Sequence, residues 1–232
     1  MIVRLIFLFS LLTTTVKTGF SQSDSDSILL MNGRVFRGII TDVSTDFLSF
    51  TETDKKGNTF SSQIENYRIF SYTQKGTSTT LYKYDETSDN FLSLEDARKA
   101  TLGSYDARKT FKPRFVFWSS LALGYGASLY DTYLMQKSVE HEKYQGIHSS
   151  GGFFKSRASF FPFLMPAVLS VSWSLPSFKI RSNQIIQKDL INDESYYRGY
   201  HRIARQKRIF AALKGSFIGI GAGMLTYAIM KP

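Results

Sequence analysis

Few residues of this chain have the types and spacing that do chemistry. His141-Glu142 and His148 invite a zinc reading, but a metalloprotease helix needs H-E-x-x-H spacing, with both rings on one face. The only other histidine is His201. The absence of cysteine excludes a thiol nucleophile, a zinc ribbon, a disulfide framework and a lipidated N-terminal Cys. No G-x-S-x-G elbow or Walker loop occurs, and Gly219-Ile-Gly-Ala-Gly223 lacks the spacing and preceding strand of a dinucleotide loop. Asp131, at the end of an uncharged run, is a type that carries protons or ions in membranes; at the edge of the run it reads as interfacial. The expectation is a non-enzymatic protein with no catalytic residues, no cofactor and no metal.

The most distinctive string is Tyr196-Tyr-Arg-Gly-Tyr200-His-Arg-Ile-Ala204-Arg-Gln-Lys-Arg208. On a helix Tyr196, Tyr200, Ile203 and Phe210 make one stripe, and Arg198, Arg202 and Arg205 another. A basic and aromatic helix feeding an apolar run reads as interfacial, with guanidinium groups on lipid phosphates at roughly 1 kcal/mol per cation near an anionic surface. Tyr196, Tyr200, Arg198, Arg202 and Arg205 are therefore expected to contact anionic headgroups; the alternative is an arginine face packed on its own domain. Gly215, Gly219 and Gly223 form small-xxx-small steps that let another helix approach closely, and Gly124 and Ser128 form a further one.

The elements that must carry these residues follow from charge and texture. The 232 residues hold 29 Lys+Arg and 19 Asp+Glu. Residues 1–90 hold 9 basic and 10 acidic groups, and residues 91–232 hold 20 and 9, so the cationic character lies wholly in the second part. Arg4, the apolar run Leu5–Leu12, and small residues Gly19 and Ser21 follow secretory signal-peptide grammar over 1–21, with an apolar run too short to span a bilayer. A small β domain is expected over 28–85. Asn32-Gly33 is a turn pair after Ile28–Met31, and strand-length runs follow at Val35–Val43, Phe47–Thr53, Thr59–Ile64, Arg68–Thr73 and Thr79–Tyr84. Gly38 marks a bend. Mature residues 22–90, with 7 basic and 10 acidic groups, disfavour nucleic acid as a partner.

Ser93-Leu-Glu-Asp96 is a capping-box-like start for an amphipathic linker helix over 92–112, ending before Pro113. Its repeated Asp-Ala-Arg-Lys, at 96–99 and 106–109, reads as coincidence or weak repetition, not as a ligand site. A helical membrane region is expected over 115–230, with uncharged apolar runs at 115–130 and 158–178 and a last segment over 209–230. Pro162, Pro166 and Pro176 make the second run kinked or re-entrant, which would leave 131–214 on one side. Trp118, Trp173 and many Tyr and Phe lie near the run ends.

The fold class expected is α+β, a small antiparallel barrel followed by an α-helical membrane region. Asn32 to Val43 with Phe47-Leu-Ser-Phe50 resembles the opening of Sm-like or SH3-like barrels. The pattern Gly103-Ser-Tyr-Asp106-Ala107, followed by Tyr196-x-x-Gly199-Tyr200-x-x-x-Ala204-x-x-Lys207 before a Gly-rich helix, resembles a group of uncharacterised bacterial envelope membrane proteins. Residues 131–157, with His141, His148 and Gly151-Gly152, stand outside that pattern. The signal peptide, the apolar runs and the absence of a catalytic set lead to the expectation of a cytoplasmic (inner) membrane protein with the β domain on the periplasmic side, acting through a protein partner or as a homo-oligomer. The resemblance implies no catalytic residues. The alternative, from broken and Gly-rich helices, is a small transporter or channel subunit.

Overall fold

The computed structural model describes residues 26–53, 57–85, 90–145, 161–176, 180 and 185–230. The signal peptide, His148 and Gly151-Gly152, and the ends of the second apolar run lie outside the described residues.

Six strands form one antiparallel sheet: β1 (Asp26–Leu30), β2 (Val35–Val43), β3 (Phe47–Thr53), β4 (Thr59–Glu65), β5 (Ile69–Gln74) and β6 (Thr77–Thr80), in the order β4-β3-β2-β1-β5-β6. β2 changes partner at its bend: Val35 to Gly38 pair with β1, and Ile39 to Val43 pair with β3, with a register shift at Thr41. Alternation turns Ile28, Leu30, Ile40, Leu48, Phe50 and Ile64 to one face, where they form a core with Ile69. The Asp26 carboxylate ties the β2 bend to the β5–β6 turn, accepting from Ile40 N at 2.9 Å and Lys75 N at 3.0 Å.

The expected barrel is corrected, because the sheet stays open with β4 and β6 as its edges. The physical reason lies after β6. Instead of continuing as a strand through Tyr84, the chain turns at Leu81-Tyr82, whose N–H groups both donate to Phe70 O. Tyr82 then packs with Phe70 and Ala97, and its hydroxyl donates to Leu92 O at 2.8 Å. The last strand is diverted into a helix contact.

Four helices follow: α1 (Leu94–Thr110), α2 (Arg114–Gln145), α3 (Phe161–Ser174) and α4 (Glu194–Met230). Ser93 caps α1, accepting from Asp96 N at 3.1 Å. α1 is not a free linker: Ala97, Thr101, Gly103, Ser104, Asp106 and Ala107 are buried. α4, at 37 residues, is about 55 Å long and unbroken. Its first half runs beside α1 and its second beside α2, in the same direction, with Ala100 facing Gly199 and Leu121 facing Gly219. α3 runs the other way, its end marked by Trp173 on Phe115 and by Pro176 O accepting from Arg208 at 2.8 Å.

Candidate functional site

The two sequence motifs are one structure. Gly103 and Gly199 face each other across α1 and α4 so closely that a Cβ on Gly103 would overlap Tyr196 O, and one on Gly199 would overlap Ala100 O. Around this crossing Tyr196, Tyr200, Ile203, Ala204 and Ala107 are buried, with Phe111 edge-on to Tyr200. Asp106, wholly buried, accepts through Oδ2 from the Tyr196 hydroxyl at 2.7 Å, from Ile186 N at 2.9 Å and from Gln187 N at 3.1 Å. Its Oδ1 has no partner among the described residues. One carboxylate thus holds α1, α4 and the segment leading into α4. Lys207 finishes the clasp: its ammonium donates to Ala107 O at 3.0 Å, Phe111 O at 3.0 Å and Arg108 O, filling the orphan carbonyls where α1 ends.

The N-terminal ends of the two helices are also tied. Asp193 caps α4, accepting from Tyr196 N at 3.1 Å, and Lys99 bridges Glu95 at 2.8 Å and Asp193 at 3.0 Å. Ser195 Oγ donates to Asp96 at 2.9 Å. The Ser93 hydroxyl, then that of Ser195, holds the Asp96 carboxyl below its ordinary value. The Tyr196 amide, then Lys99, lowers that of Asp193. Glu95 and Asp193 raise the Lys99 ammonium.

The sheet joins through its first turn. Gly33, at φ +73°, presses on the α1 backbone at Ser104-Tyr105, where a side chain has no room. Arg108 donates to Asn32 O at 2.8 Å and Arg202 to Met31 O at 3.2 Å. Burial, with Arg34 and Arg202 nearby, lowers the pKa of Arg108.

The expected headgroup set is therefore dispersed. Tyr196 and Tyr200 are each 0 % exposed, so they belong to the clasp, not to a lipid surface. Arg202 grips the β1–β2 turn, and Arg198 pairs with Glu194 at 2.7 Å. Arg205 stays exposed on α4. Residues 185–208 pack on α1 and the sheet's first turn. Sequence reasoning missed Asp106 as a hub; the only signal was its place in the Gly-x-x-Asp-Ala pattern.

The second half of α4 is built differently. Cβ atoms on Gly215 and Gly219 would overlap Phe117 O and Leu121 O, and one on Gly223 would lie 2.8 Å from Ser128 Cβ. Gly124 fits against Ser216 from the other side, while Gly221 faces open space. Ser119, Ser170, Ser172, Ser216 and Thr226 donate back to their own helices, at Val116 O, Pro166 O, Val168 O, Ala212 O and Ala222 O. By length and composition α4 is the one helix among the described residues that can cross a membrane; α3, at 14 residues, reaches only about 21 Å.

Fold and site together define an α+β protein whose open sheet is fastened to a helical bundle containing one membrane-length helix. Comparison with family models, with curated proteins and with solved structures finds no match. Among the described residues no group of three or more His, Asp or Glu side chains is placed to hold a metal.

Proposed function

We propose that this chain is a non-enzymatic, membrane-anchored envelope protein. In this reading α2, α3 and the second half of α4 lie in the bilayer, and the sheet is held at one surface to bind a protein partner or to assemble. The observation that carries the reading is the apolar exterior of this bundle. Phe115 (73 % exposed), Val171 (60 %), Leu225 (66 %) and Ile229 (82 %) point outward, and the Ser119, Ser172 and Thr226 hydroxyls donate within their own helices, whereas Ser120 Oγ is buried without a partner among the described residues. Both tryptophans, with Phe115 and Phe210, sit where the clasp gives way to the apolar part, as in an interfacial belt. α2 and the second half of α4 then descend from the sheet side, and α3 runs back beside them without the length to cross by itself.

The sheet supports the presenting role. Its open edges β4 and β6 offer unpaired backbone groups for strand addition. The order β4-β3-β2-β1-β5, with a 3-10 turn at Asn66–Arg68, supports kinship in topology with Sm-like and SH3-like modules, without closure. The channel alternative is disfavoured because α2 and α4 meet backbone to backbone and leave no lumen between them.

Two signals for orientation oppose each other. The leader expected over 1–21 favours the sheet outside, whereas the basic excess of 91–114 and 185–208 favours the inside. The leader decides here, because folded domains translocate largely regardless of charge. Moreover Arg108, Arg202, Lys207 and Arg208 are engaged by backbone carbonyls. The full chain should stay with carbonate-washed membranes; its release would end the reading. The cysteine-free sequence makes single-cysteine labelling clean. Ser78→Cys should react with an impermeant reagent from the periplasm, and Lys137→Cys only after lysis.

A further inference from the structure

We propose that the break between α1 and α2 binds the headgroup and upper acyl chain of an anionic phospholipid. This rests on the membrane reading above and adds to it a built ligand site. α1 stops at Thr110 and α2 begins at Arg114, with Pro113 between them, while α4 runs past unbroken. The gap between the two helix ends leaves a cavity of about 440 Å³, within the range of small-ligand sites.

The lining has two chemistries. Phe117, Trp118 and Phe210 form an apolar wall, and Lys112, Arg114 and Lys214 form the rim. Those three cations are exposed, have no acidic partner among the described residues, and share the cavity with no carboxylate. Lys207, the fourth cation there, is engaged by the carbonyls of α1. Unneutralised charge beside an aromatic wall suits an amphiphile with an anionic head. A free phosphate would leave the wall unused, and a zwitterionic lipid would leave the rim uncompensated. The level is also right: the cavity includes Trp118, and Trp173 meets α2 three residues earlier at Phe115. Arg198, by contrast, stands about 24 Å up α4 from Lys214, well above a headgroup layer at that level.

The test uses the full chain in neutral detergent, carrying Trp173→Phe so that Trp118 is the sole tryptophan reporter. Brominated phosphatidylglycerol should quench Trp118 and bind as a 1:1 adduct in native mass spectrometry, at least tenfold more tightly than brominated phosphatidylcholine. Joint replacement Lys112→Gln, Arg114→Gln and Lys214→Gln should weaken phosphatidylglycerol by about 10- to 100-fold. Phe210→Ala, at a site 62 % exposed in the structure, should weaken both lipids without abolishing the preference. Equal retention of the two lipids, or an unchanged affinity in the triple variant, would overturn the proposal. Displacement by glycerol 3-phosphate would overturn it too, by assigning the rim to a soluble phosphate. A chain that resists carbonate washing yet shows no phosphatidylglycerol preference sinks the site alone. Release by carbonate sinks the membrane reading, whatever the detergent result.

Discussion

The two halves of α4 pack against two helices by the same device and in opposite chemical styles. Beside α1, the close approach at Gly103 and Gly199 is surrounded by a polar network on Asp106, Lys207, Asp193 and Lys99. Beside α2, the close approach at Gly215, Gly219 and Gly223 includes the buried Ser120, Ser128 and Ser216; the Ser216 and Thr226 hydroxyls turn back onto α4, and the Tyr125 hydroxyl donates to Thr226 Oγ1 at 3.4 Å. The difference bears on the proposal that the second half lies in a membrane. Where water surrounds the protein, burial of apolar surface drives helix packing, and charged ties can add specificity. Where lipid surrounds it, close van der Waals contact between small residues remains, and unpaired polar groups become expensive.

The largest effect expected in breaking this contrast comes from Asp106→Ala. It strands the Tyr196 hydroxyl in a buried site and removes the acceptor of the part-buried amides of Ile186 and Gln187. A loss of at least about 3 kcal/mol should appear as a lower unfolding midpoint in detergent. Proteolysis should open the 185–193 segment first; an unchanged midpoint would contradict the hub role.

Next come the glycines, which probe both halves alike. Gly199→Ala and Gly219→Ala each place a Cβ on a backbone carbonyl and should each cost about 1–3 kcal/mol. Gly221→Ala, in open space, should be neutral or stabilising by up to about 1 kcal/mol through helix propensity. Equal effects at Gly219 and Gly221 in thermal unfolding would refute close packing of the stripe.

Lys207→Met keeps the apolar stem and removes the three bonds to the α1 carbonyls. A loss of about 1–2 kcal/mol is expected, confined to the clasp. Hydrogen exchange should rise at the end of α1 and not in the second half of α4.

The smallest effect is a pH dependence that only the clasp should show. Asp96 and Asp193 have folded values below the ordinary carboxylate range. Their contribution is present above an unfolded value of about 4 and is lost as pH falls through the lower folded values. Between pH 5 and pH 3, exchange protection should fall at the starts of α1 and α4. It should hold across the uncharged α2–α4 contact, whose apolar runs contain no carboxylate.

Much of the local structure was legible in the sequence. The runs Val35–Val43 and Phe47–Thr53 are strands with those bounds, because β-branched and aromatic residues end at turn residues on both sides. Ser93 and Asp96 announced the start of α1, since capping is a local contact. The long-range partners were not legible. Tyr196 and Tyr200 have the composition of an interfacial stripe, and only the packing of α1 against α4 turns them into core residues. Pro162, Pro166 and Pro176 signal an interrupted run equally well for a re-entrant loop and for a returning helix. Residues 185–208 lie against the sheet's first turn, a placement that no local signal carries.

By itself, then, the sequence determined the β-rich start, the capped helix, the apolar runs and the glycine spacing, because each depends on neighbours within a few residues. Only the tertiary structure decided that the sheet stays open, that Asp106 joins three segments and that four cations line one cavity. Each of these turns on which distant groups come within a few ångströms. Hydrogen bonding and close packing act at that range, and separation along the chain does not encode it.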